Sequence, residues 1–474
     1  MKMIIGGRHV DSRDRATVEV YNPSTHELID TVPSATAEDV QDMLRIAQKG
    51  KKIWSAKSIG ERYDILMFAA DLAWQERETI ADMVCREQGK VRSAALEEAE
   101  KVSLLFRGYA EKARHAYGEM LPDNGADMIV VRRDPLGVIA CVIPFNFPAE
   151  LFAHKVAPAL ATGNAVVVKP ASDTPLVDIY LVDLLHRAGV PGEVVQVVTG
   201  SGSRIGKLLS GSPLIDGISL TGSTEVGIDV MREAAGNLTH VFLELGGNDA
   251  MVVFDDADIE QAADEAVNAR IYNAGQVCCS TKRCVVHNKV REAFTTLVAR
   301  KMQALRVGNA ADPDSDMGPL VNESAAEAAQ QQVAEMMQQG ATLVCGGHAF
   351  DKTYFEPTVL DGVTPDMDIA KDLEVFAPVV TVIGFDTEEE AVSIVNGSMY
   401  GLSGGVMTAD IRRGMRVALA MDSGGVVVGG SGMYRTLDMP FGGHNKSGIS
   451  HEGFLDTMNE MVKTKSIVLK GILS

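Results

Sequence analysis

Three polar residues in separate segments have the chemistry needed for covalent catalysis at a carbonyl group. Cys278 lies in a run of small and polar residues, NAGQVCCS at 273–280, which is typical of a loop that a ligand can reach. Glu244 comes earlier, in ELGGN at 244–248, and Asn146 lies in PFNFP at 144–148. A thiol, a carboxylate base and an amide donor for an oxyanion are the groups that such a reaction requires. We therefore expect the chemistry to depend on whether these three side chains meet.

A second set of residues could hold a nucleotide. The segment SLTGSTEVG at 219–227 joins a predicted strand to a predicted helix, and its glycines let backbone amides approach a phosphate. It lacks the G-x-G-x-x-G spacing, so an ordinary glycine-rich connection would explain it equally well. Lys169 is more specific, because it ends the apolar run AVVVK and ligands of open sheets bind at the carboxyl ends of strands. The alternative for Lys169 is a lysine that merely reaches the surface there.

The elements that must position these residues are short apolar strands alternating with helices, which predicts a parallel sheet covered on both faces. The first set comprises strands at 138–143, 165–169, 194–198, 217–220 and 241–245 and helices at 174–188, 203–209 and 225–235. A second α/β section comprises strands at 250–254, 379–385 and 425–428 and helices at 259–271, 291–305 and 323–339.

The two ends of the chain carry further signals. Residues 36–39 have the spacing of a helix-capping box, and helical patterns follow at 61–88 and 93–115. The tail at 463–469 is predicted to be a single strand after the last helix. A single strand needs a sheet to join, which suggests strand exchange between subunits.

Composition narrows the class of protein. A chain of 474 residues predicts two or three domains, and the net charge of −20 argues against nucleic acid or an anionic membrane as a partner. The N-terminal apolar run is too short for a signal peptide, and six cysteines in so long a chain do not suggest a disulfide framework, so we expect a cytoplasmic protein. Cys278, Cys279, Cys284 and His287 lack a paired C-x-x-C spacing, so no metal site is expected.

The chain resembles the aldehyde dehydrogenase superfamily over essentially its whole length. The resemblance rests on seven segments in the family's order: PFNFP at 144–148, KPAS at 169–172, TGS at 221–223, ELGG at 244–247, GQVC at 275–278, EVF at 374–376 and PFGG at 440–443. It implies an α/β fold with a Rossmann-type cofactor domain (1–118 and 135–245), an α/β catalytic domain (246–445) and a small β oligomerisation arm (119–134 and 455–474). It also implies a homodimer or homotetramer.

The resemblance assigns roles to the three catalytic candidates. Cys278 would attack an aldehyde to give a thiohemiacetal, while Asn146 and the backbone N–H of Cys278 hold the oxyanion. Hydride transfer to a nicotinamide would leave a thioester, and Glu244 would activate water to hydrolyse it. The family pattern G-Q-x-C selects Cys278 over Cys279, which is expected to be a wall of the pocket. Alternative assignments are a strand-end carboxylate for Glu244 and a turn residue for Asn146.

The resemblance also implies a cofactor site. Lys169 would bind the adenosine ribose, Ser223 the pyrophosphate and Glu374 the nicotinamide ribose, with Phe376 beside the ring. The full set of expected cofactor-binding residues is Ile143, Pro144, Phe145, Lys169, Ser172, Gly222, Ser223, Gly227, Leu245, Glu374 and Phe376. Members that prefer NAD often carry glutamate where this chain has Ser172, and a serine would not repel a 2′-phosphate. We therefore expect NADP to be accepted, beside NAD.

Three basic residues are candidates for binding the substrate. His154 and Arg435 fall at positions that members acting on simple apolar aldehydes tend to fill with aromatics, and Arg107 on the helix 93–115 is the third. A cationic entrance suits an aldehyde with an anionic tail, because arginine binds such groups in bidentate fashion. The alternative is that Arg435 pairs with a nearby acid such as Asp438. Semialdehydes, sulfolactaldehyde, phosphonoacetaldehyde, lactaldehyde and glyceraldehyde-type compounds all stay open.

Two departures from the family pattern and two rival functions complete the prediction. Ala377 stands where many members have glycine, and Ser450 and His451 replace the common glycine and arginine, which puts details of that loop in doubt.

A CoA-acylating dehydrogenase is one rival function, but such members often lack the carboxylate that Glu244 supplies. A non-catalytic protein on the same scaffold is the other, and it would be expected to have lost the nucleophile or the base.

Overall fold

The computed structural model describes residues 1–116 and 118–474. The strands of this part of the chain are β1 (Met3–Ile5), β2 (Arg8–Val10), β3 (Thr17–Tyr21), β4 (Leu28–Pro33), β5 (Glu119–Asn124), β6 (Asp127–Pro135), β7 (Val138–Val142), β8 (Ala165–Lys169), β9 (Val195–Val197), β10 (Gly217–Thr221), β11 (His240–Glu244), β12 (Ala250–Val253), β13 (Arg283–His287), β14 (Thr342–Cys345), β15 (Ala349–Phe350), β16 (Tyr354–Phe355), β17 (Thr358–Val363), β18 (Val379–Phe385), β19 (Tyr400–Gly401), β20 (Ser403–Met407), β21 (Gly425–Val428), β22 (His444–Asn445) and β23 (Val462–Leu469).

The α-helices of the same residues are α1 (Ala37–Ser55), α2 (Ile59–Gln75), α3 (Arg77–Gln88), α4 (Arg92–Ala113), α5 (Pro148–Ala161), α6 (Leu176–Arg187), α7 (Gly202–Ser210), α8 (Thr224–Ala235), α9 (Ile259–Ile271), α10 (Asn288–Gln303), α11 (Glu323–Gln339), α12 (Glu388–Asn396), α13 (Ile411–Ala420) and α14 (Phe454–Glu460).

The first large sheet has the strand order β11-β10-β7-β8-β9-β1-β2. Its strands from β11 to β9 are parallel, and the N-terminal hairpin β1–β2 is added antiparallel at one edge. Alternate residues face opposite cores: Val138 packs with α1, α7 and α8, while Ile139 packs with helices that include α4, α5 and α6. Strands that are apolar on both faces form such a doubly covered sheet, so the predicted α/β architecture is confirmed.

The second large sheet has the order β14-β17-β18-β13-β12-β20-β21 and is parallel except for β14. It too has a core on each face. Val252 faces the core that contains α11 and α12, and Val253 faces the core that contains α9 and α10. Across the described residues, no helix combines the length and the apolar composition that crossing a lipid bilayer requires.

A third, small sheet contains the strand that was expected at the C-terminus. Strand β23 is not left without a sheet in its own chain, because it pairs antiparallel with β6 from Val462 opposite Pro135 to Leu469 opposite Met128. Strand β5 completes the sheet on the other side of β6. Helix α14, just before β23, packs against α4 and α5 in the first core. The domain boundaries and the oligomeric arm stay a prediction.

The N-terminal helices show where local pattern suffices and where it fails. The capping box is confirmed, since the Thr36 side chain accepts from the Asp39 N–H and the Asp39 side chain accepts from the Thr36 N–H. The helical pattern expected at 61–88 is confirmed, but it forms two helices, because α2 ends at Gln75 and α3 begins at Arg77. Glu76 at the break accepts hydrogen bonds from Tyr180 and Arg187 on α6. Long-range contacts hold this break, and no glycine or proline announces it.

The parallel strands decide where the chemistry lies. The carboxyl ends of β7, β8, β10 and β11 come together along one edge of the first sheet. That edge carries the turn at 143–148, Lys169, the segment at 221–223 and Glu244. Open α/β sheets bind ligands at this edge.

Candidate active site

The loop that carries Cys278 begins with an unusual turn after α9. Asn273, Ala274 and Gly275 have φ angles of +52°, +54° and +77°. A Cβ on Gly275 would lie 2.3 Å from the Ala377 carbonyl oxygen, so only glycine fits there. The buried Arg270 guanidinium donates to the Gly275 carbonyl in this turn and to the carbonyls of Val375 and Val379, and so ties the loop to the segment 375–379. Sequence patterns did not single out Arg270.

Cys278 faces a cavity of about 240 Å³. Glu244 and Asn146 line the same cavity, so the structure brings the three catalytic candidates together from segments far apart in sequence. Cys279 lines it as well, as expected for a wall. A larger cavity, of about 390 Å³, lies between the β3–β4 hairpin and the start of α11, and none of the four residues lines it.

The two neighbouring thiols affect each other's ionisation. A hydrogen bond with Cys279, together with burial, raises the pKa of the Cys278 thiol well above its usual range. The same hydrogen bond lowers the pKa of Cys279 to about 7, with help from the charges of Arg435 and Lys282. When two ionisable groups interact this strongly, their apparent pKa values belong to the pair and not to either residue. The lowered pKa of Cys279 lets the pair carry negative charge near neutral pH, and the ionisation does not by itself select Cys278 as the nucleophile.

Glu244 ends β11 and is buried. Burial, and then the negative charge of Glu452, raises the pKa of its carboxyl well above the usual value. Its Oε1 atom accepts a hydrogen bond of 3.3 Å from the Ser450 hydroxyl, while Oε2 makes none to any other described residue. A carboxylate with a raised pKa and a free oxygen facing a cavity is suited to act as a general base. Ser450, which differs from the common family residue, therefore contacts the proposed base directly.

Asn146 lies in the turn between β7 and α5. Its Nδ2 atom donates 3.0 Å to the Gln276 carbonyl, and an amide nitrogen has a second hydrogen left to donate. The backbone carbonyl of Asn146 accepts from Lys90 Nζ at 2.9 Å and from Asn273 Nδ2 at 2.8 Å. Lys90 is itself ion-paired with Glu98, and neither side chain is exposed. Sequence reasoning missed this pair, because Lys90 lies in the connection between α3 and α4 and no local pattern links it to Glu98.

Arg435 reaches the cavity, but a buried carboxylate neutralises it. Its partner is Glu452, at 2.6 Å, while Asp438 pairs instead with Lys112. Arg435 does pair with an acid, but that acid is Glu452 and not the expected Asp438. The Arg435 guanidinium also lies over the ring of Phe441, 4.3 Å from its centroid.

His154 does not line the cavity, which corrects its predicted contact with the substrate. It is 1% exposed behind Arg435, whose Nη2 atom lies 3.3 Å from His154 Nε2. Burial lowers the pKa of His154 to about 4, so its ring is neutral at pH 7 and can accept from the guanidinium. Burial alone would raise the pKa of Glu452, but His154, Arg435 and Lys155 lower it. With His154 neutral, Arg435 and Lys155 keep Glu452 ionised.

Arg107 also lies away from the cavity. Its Nη2 atom forms an ion pair of 2.7 Å with Asp71 on α2, at the surface. The α4 residue that lines the cavity is Lys101, whose ammonium pairs with the buried Glu150 at 3.0 Å. Helical periodicity explains the error, because residues six apart on an α-helix point in different directions.

The expected adenosine site lies at the end of β8. Lys169 is 3% exposed and donates 2.5 Å to the Pro170 carbonyl, which leaves other ammonium hydrogens free. Burial lowers its pKa to about 8. The Ser172 hydroxyl donates 3.3 Å to the Gly200 carbonyl. The Lys169 carbonyl accepts from the Ile143 N–H at 2.9 Å, which fixes the neighbouring turn.

The glycine-rich segment opens α8. The Ser223 side chain caps the helix by accepting from the Val226 N–H, and Gly222 donates to the Glu244 carbonyl at 3.1 Å. Gly227 packs directly on Leu245, since a Cβ there would lie 2.6 Å from that side chain. This close approach of helix to sheet is the contact that glycine permits in dinucleotide-binding folds.

The expected nicotinamide site lies beside the nucleophile loop. Glu374 accepts from the Gly247 N–H at 3.1 Å and forms an ion pair of 3.3 Å with the buried Lys282. Phe376 meets Phe145 edge to face, with ring centroids 6.0 Å apart, so Pro144 and Phe145 of the turn lie near it. The free donors at Lys169, the capped α8 terminus and the partly exposed Glu374 fit a dinucleotide. Lys282 was missed from the sequence.

Comparisons with known proteins agree with this geometry. A sequence model described as the aldehyde dehydrogenase family matches residues 9–467. The chain is 35% identical to 3-sulfolactaldehyde dehydrogenase of Pseudomonas putida, covering 99% of this chain and 96% of that one. It is 35% identical to the mitochondrial succinate-semialdehyde dehydrogenase of Arabidopsis thaliana, over 98% and 88% of the two chains.

Solved structures give the same result. Betaine aldehyde dehydrogenase from Staphylococcus aureus in complex with NAD+ superposes with a TM-score of 0.97 at 32% identity, over 99% of this chain and 95% of that one. An NADP-dependent enzyme from E. coli superposes with a TM-score of 0.96 at 32% identity, over 99% and 98%. The chain belongs to the aldehyde dehydrogenase family, whose members oxidise aldehydes with a nicotinamide cofactor.

Proposed function

We propose that this enzyme oxidises a small polar aldehyde to the carboxylic acid, with water as the final acyl acceptor. The observation that carries the proposal is the single cavity that Cys278, Glu244 and Asn146 share. A thiolate attacks carbonyl carbon and leaves again from a thioester, so this arrangement supports both formation and hydrolysis of an acyl-enzyme.

The steps follow from the three side chains. The Cys278 sulfur bonds to the aldehyde carbon, and the resulting oxyanion is stabilised by the Asn146 amide and the Cys278 N–H. A bound nicotinamide supplies the electron acceptor that brings this adduct to the oxidation level of a thioester. Glu244 then removes a proton from water as the water oxygen bonds to the acyl carbon. The carbon–sulfur bond breaks, the acid leaves and the thiolate is restored.

The charges around the cavity restrict the tail of the substrate. Each cation that lines it, Lys101 and Arg435, is paired with a buried carboxylate, so the wall offers donors without much net positive charge. Arg435 Nε and Thr221 Oγ1 are buried and make no hydrogen bond to other described residues. One carboxylate, one sulfonate or a hydroxyl group can be satisfied there. A dianionic phosphate or phosphonate is disfavoured, since its second charge would be desolvated without a partner.

Relatives support this size and polarity. Those named for 3-sulfolactaldehyde, succinate semialdehyde and lactaldehyde act on short aldehydes with one anionic group or a hydroxyl. The apolar part of the wall includes Leu151, Val277 and Met433, and it accommodates a short carbon chain within about 240 Å³.

Ser172 supports use of NADP beside NAD. No carboxylate side chain stands at that position to repel a 2′-phosphate, and the serine hydroxyl is held by the Gly200 carbonyl. The expected ratio of kcat/KM values for the two cofactors is within a factor of about ten. A preference for NAD of about a hundredfold, roughly 3 kcal/mol, would contradict this expectation.

The test is nicotinamide absorbance with a panel of aldehydes, both cofactors and the Cys278→Ala variant as control. Succinic semialdehyde and lactaldehyde are expected to exceed both propanal and phosphonoacetaldehyde in kcat/KM. Product analysis with and without CoA is expected to give free acid in both cases. Accumulation of an acyl-CoA, or turnover that survives Cys278→Ala, would overturn the proposal.

A further inference from the structure

Lys282 is a buried cation placed directly on the backbone of the nucleophile. Its side chain is 1% exposed, and its Nζ atom donates 2.6 Å to the Cys278 carbonyl and 3.0 Å to the Val277 carbonyl. These two carbonyls belong to the loop that presents the thiol. Burying an ammonium is costly unless it is fully paired, so three acceptors around one buried lysine form a specific arrangement.

The third acceptor of Lys282 is Glu374. Through Gly247, this carboxylate is linked back to the nucleophile loop. Glu374 Oε1 lies 3.3 Å from Lys282 Nζ and also accepts from the Gly247 N–H at 3.1 Å. Gly247 in turn lies against the nucleophile loop, because a Cβ there would be 2.7 Å from the Cys278 carbonyl oxygen. The loop carrying the thiol and the carboxylate beside it are therefore held together by one ammonium group.

Several charged groups face the thiol pair from the surrounding elements. Lys282 lowers the pKa of both thiols, Glu374 raises that of Cys278, and Arg435 lowers that of Cys279. The charge of the buried Asp249, just before β12, interacts with both Cys279 and Lys282. Glu244, Glu150, Glu452 and Lys101 line the cavity in front of the sulfurs. Of the two cations that act on the thiols, Arg435 is neutralised by Glu452 and touches neither carbonyl of the loop.

We propose that Lys282 is the positioning residue of the nucleophile: it fixes the peptide of Cys278 and supplies the positive charge that stabilises its thiolate, while Glu374 opposes that charge. This rests on the proposed function only in taking Cys278 as the reacting thiol. A buried lysine that merely filled space would fix the loop without changing its ionisation.

The experiment is the pH dependence of Cys278 alkylation by iodoacetamide, followed by mass spectrometry of the labelled peptide. It is done in the full-length Cys279→Ala protein, where one thiol of the pair remains. Lys282→Gln is expected to raise the midpoint by about one pH unit, which slows alkylation about tenfold at pH values below it. Lys282→Arg, which keeps the charge, is expected to restore the midpoint. Glu374→Gln, which removes the opposing charge, is expected to lower it.

If Lys282→Gln reacts more slowly at every pH but its midpoint is unchanged, Lys282 has only a structural role and the proposal is overturned. Circular dichroism shows whether each variant folds. If Lys282→Gln does not fold, Glu374→Gln decides alone, and an unchanged midpoint in that variant refutes the charge coupling. Because alkylation needs no substrate, failure of every aldehyde in the turnover panel would count against the proposed function and leave this result standing.

Discussion

The hydrogen bond from Ser450 to Glu244 gives a quantitative prediction for the water-activating step. The Ser450 hydroxyl, 3.3 Å from Oε1, is the one hydrogen-bond donor to this carboxyl among the described residues, and Ser450→Ala removes it. One such bond contributes about 0.5–1.5 kcal/mol, and 1.36 kcal/mol corresponds to one pH unit. The expected rise in the pKa of Glu244 is therefore about 0.4–1 pH unit.

The sign follows from the role of the carboxyl. A hydroxyl donor favours the ionised form, and burial with the nearby Glu452 charge already raises the pKa of Glu244. A general base acts only when ionised, so losing the donor moves the acid limb of the kcat profile to higher pH. Below that limb kcat is expected to fall by about three- to tenfold, and well above it the two enzymes converge.

The assay separates the two chemical steps. Pre-steady-state absorbance reports formation of the reduced nicotinamide, which does not use Glu244, and steady-state turnover under saturating aldehyde reports hydrolysis of the thioester. Ser447→Ala is a matched control in the same loop, because the Ser447 side chain accepts from the Gly401 N–H instead of donating to Glu244. An acid limb that stays in place in Ser450→Ala, or that moves equally in Ser447→Ala, would refute the reasoning.

Three further predictions use simple substitutions. Cys278→Ala is expected to lower kcat by at least about a thousandfold and Cys279→Ala by less than about tenfold; the reverse order would make Cys279 the nucleophile. Ser172→Glu is expected to raise the KM for NADP at least about tenfold with little change for NAD, and equal changes would argue against a 2′-phosphate near this position. Lys90→Met, which removes a donor to the backbone carbonyl of Asn146, is expected to lower kcat by about ten- to a hundredfold at an unchanged aldehyde KM. A change confined to KM would mean that Lys90 does not orient the oxyanion donor.

Local sequence patterns predicted most of the helices and strands. The run AVVV that opens β8 is apolar at four successive positions, which is typical of a strand buried on both faces of a parallel sheet. The start of α1 was predictable because its capping residues are three positions apart in sequence. The break at Glu76 was not predictable, because its hydrogen-bond partners lie on α6, about a hundred residues away.

The sequence by itself determined which reactive groups this protein has: a thiol, a carboxylate and an amide, each in a segment typical of its family. Tertiary structure alone decided how those groups are held and charged. Lys90, Arg270 and Lys282 act on backbone carbonyls, which every residue possesses and no pattern marks. Arg435 reaches the cavity while His154 lies behind it, because burial and ion pairing depend on three-dimensional neighbours and not on position along the chain.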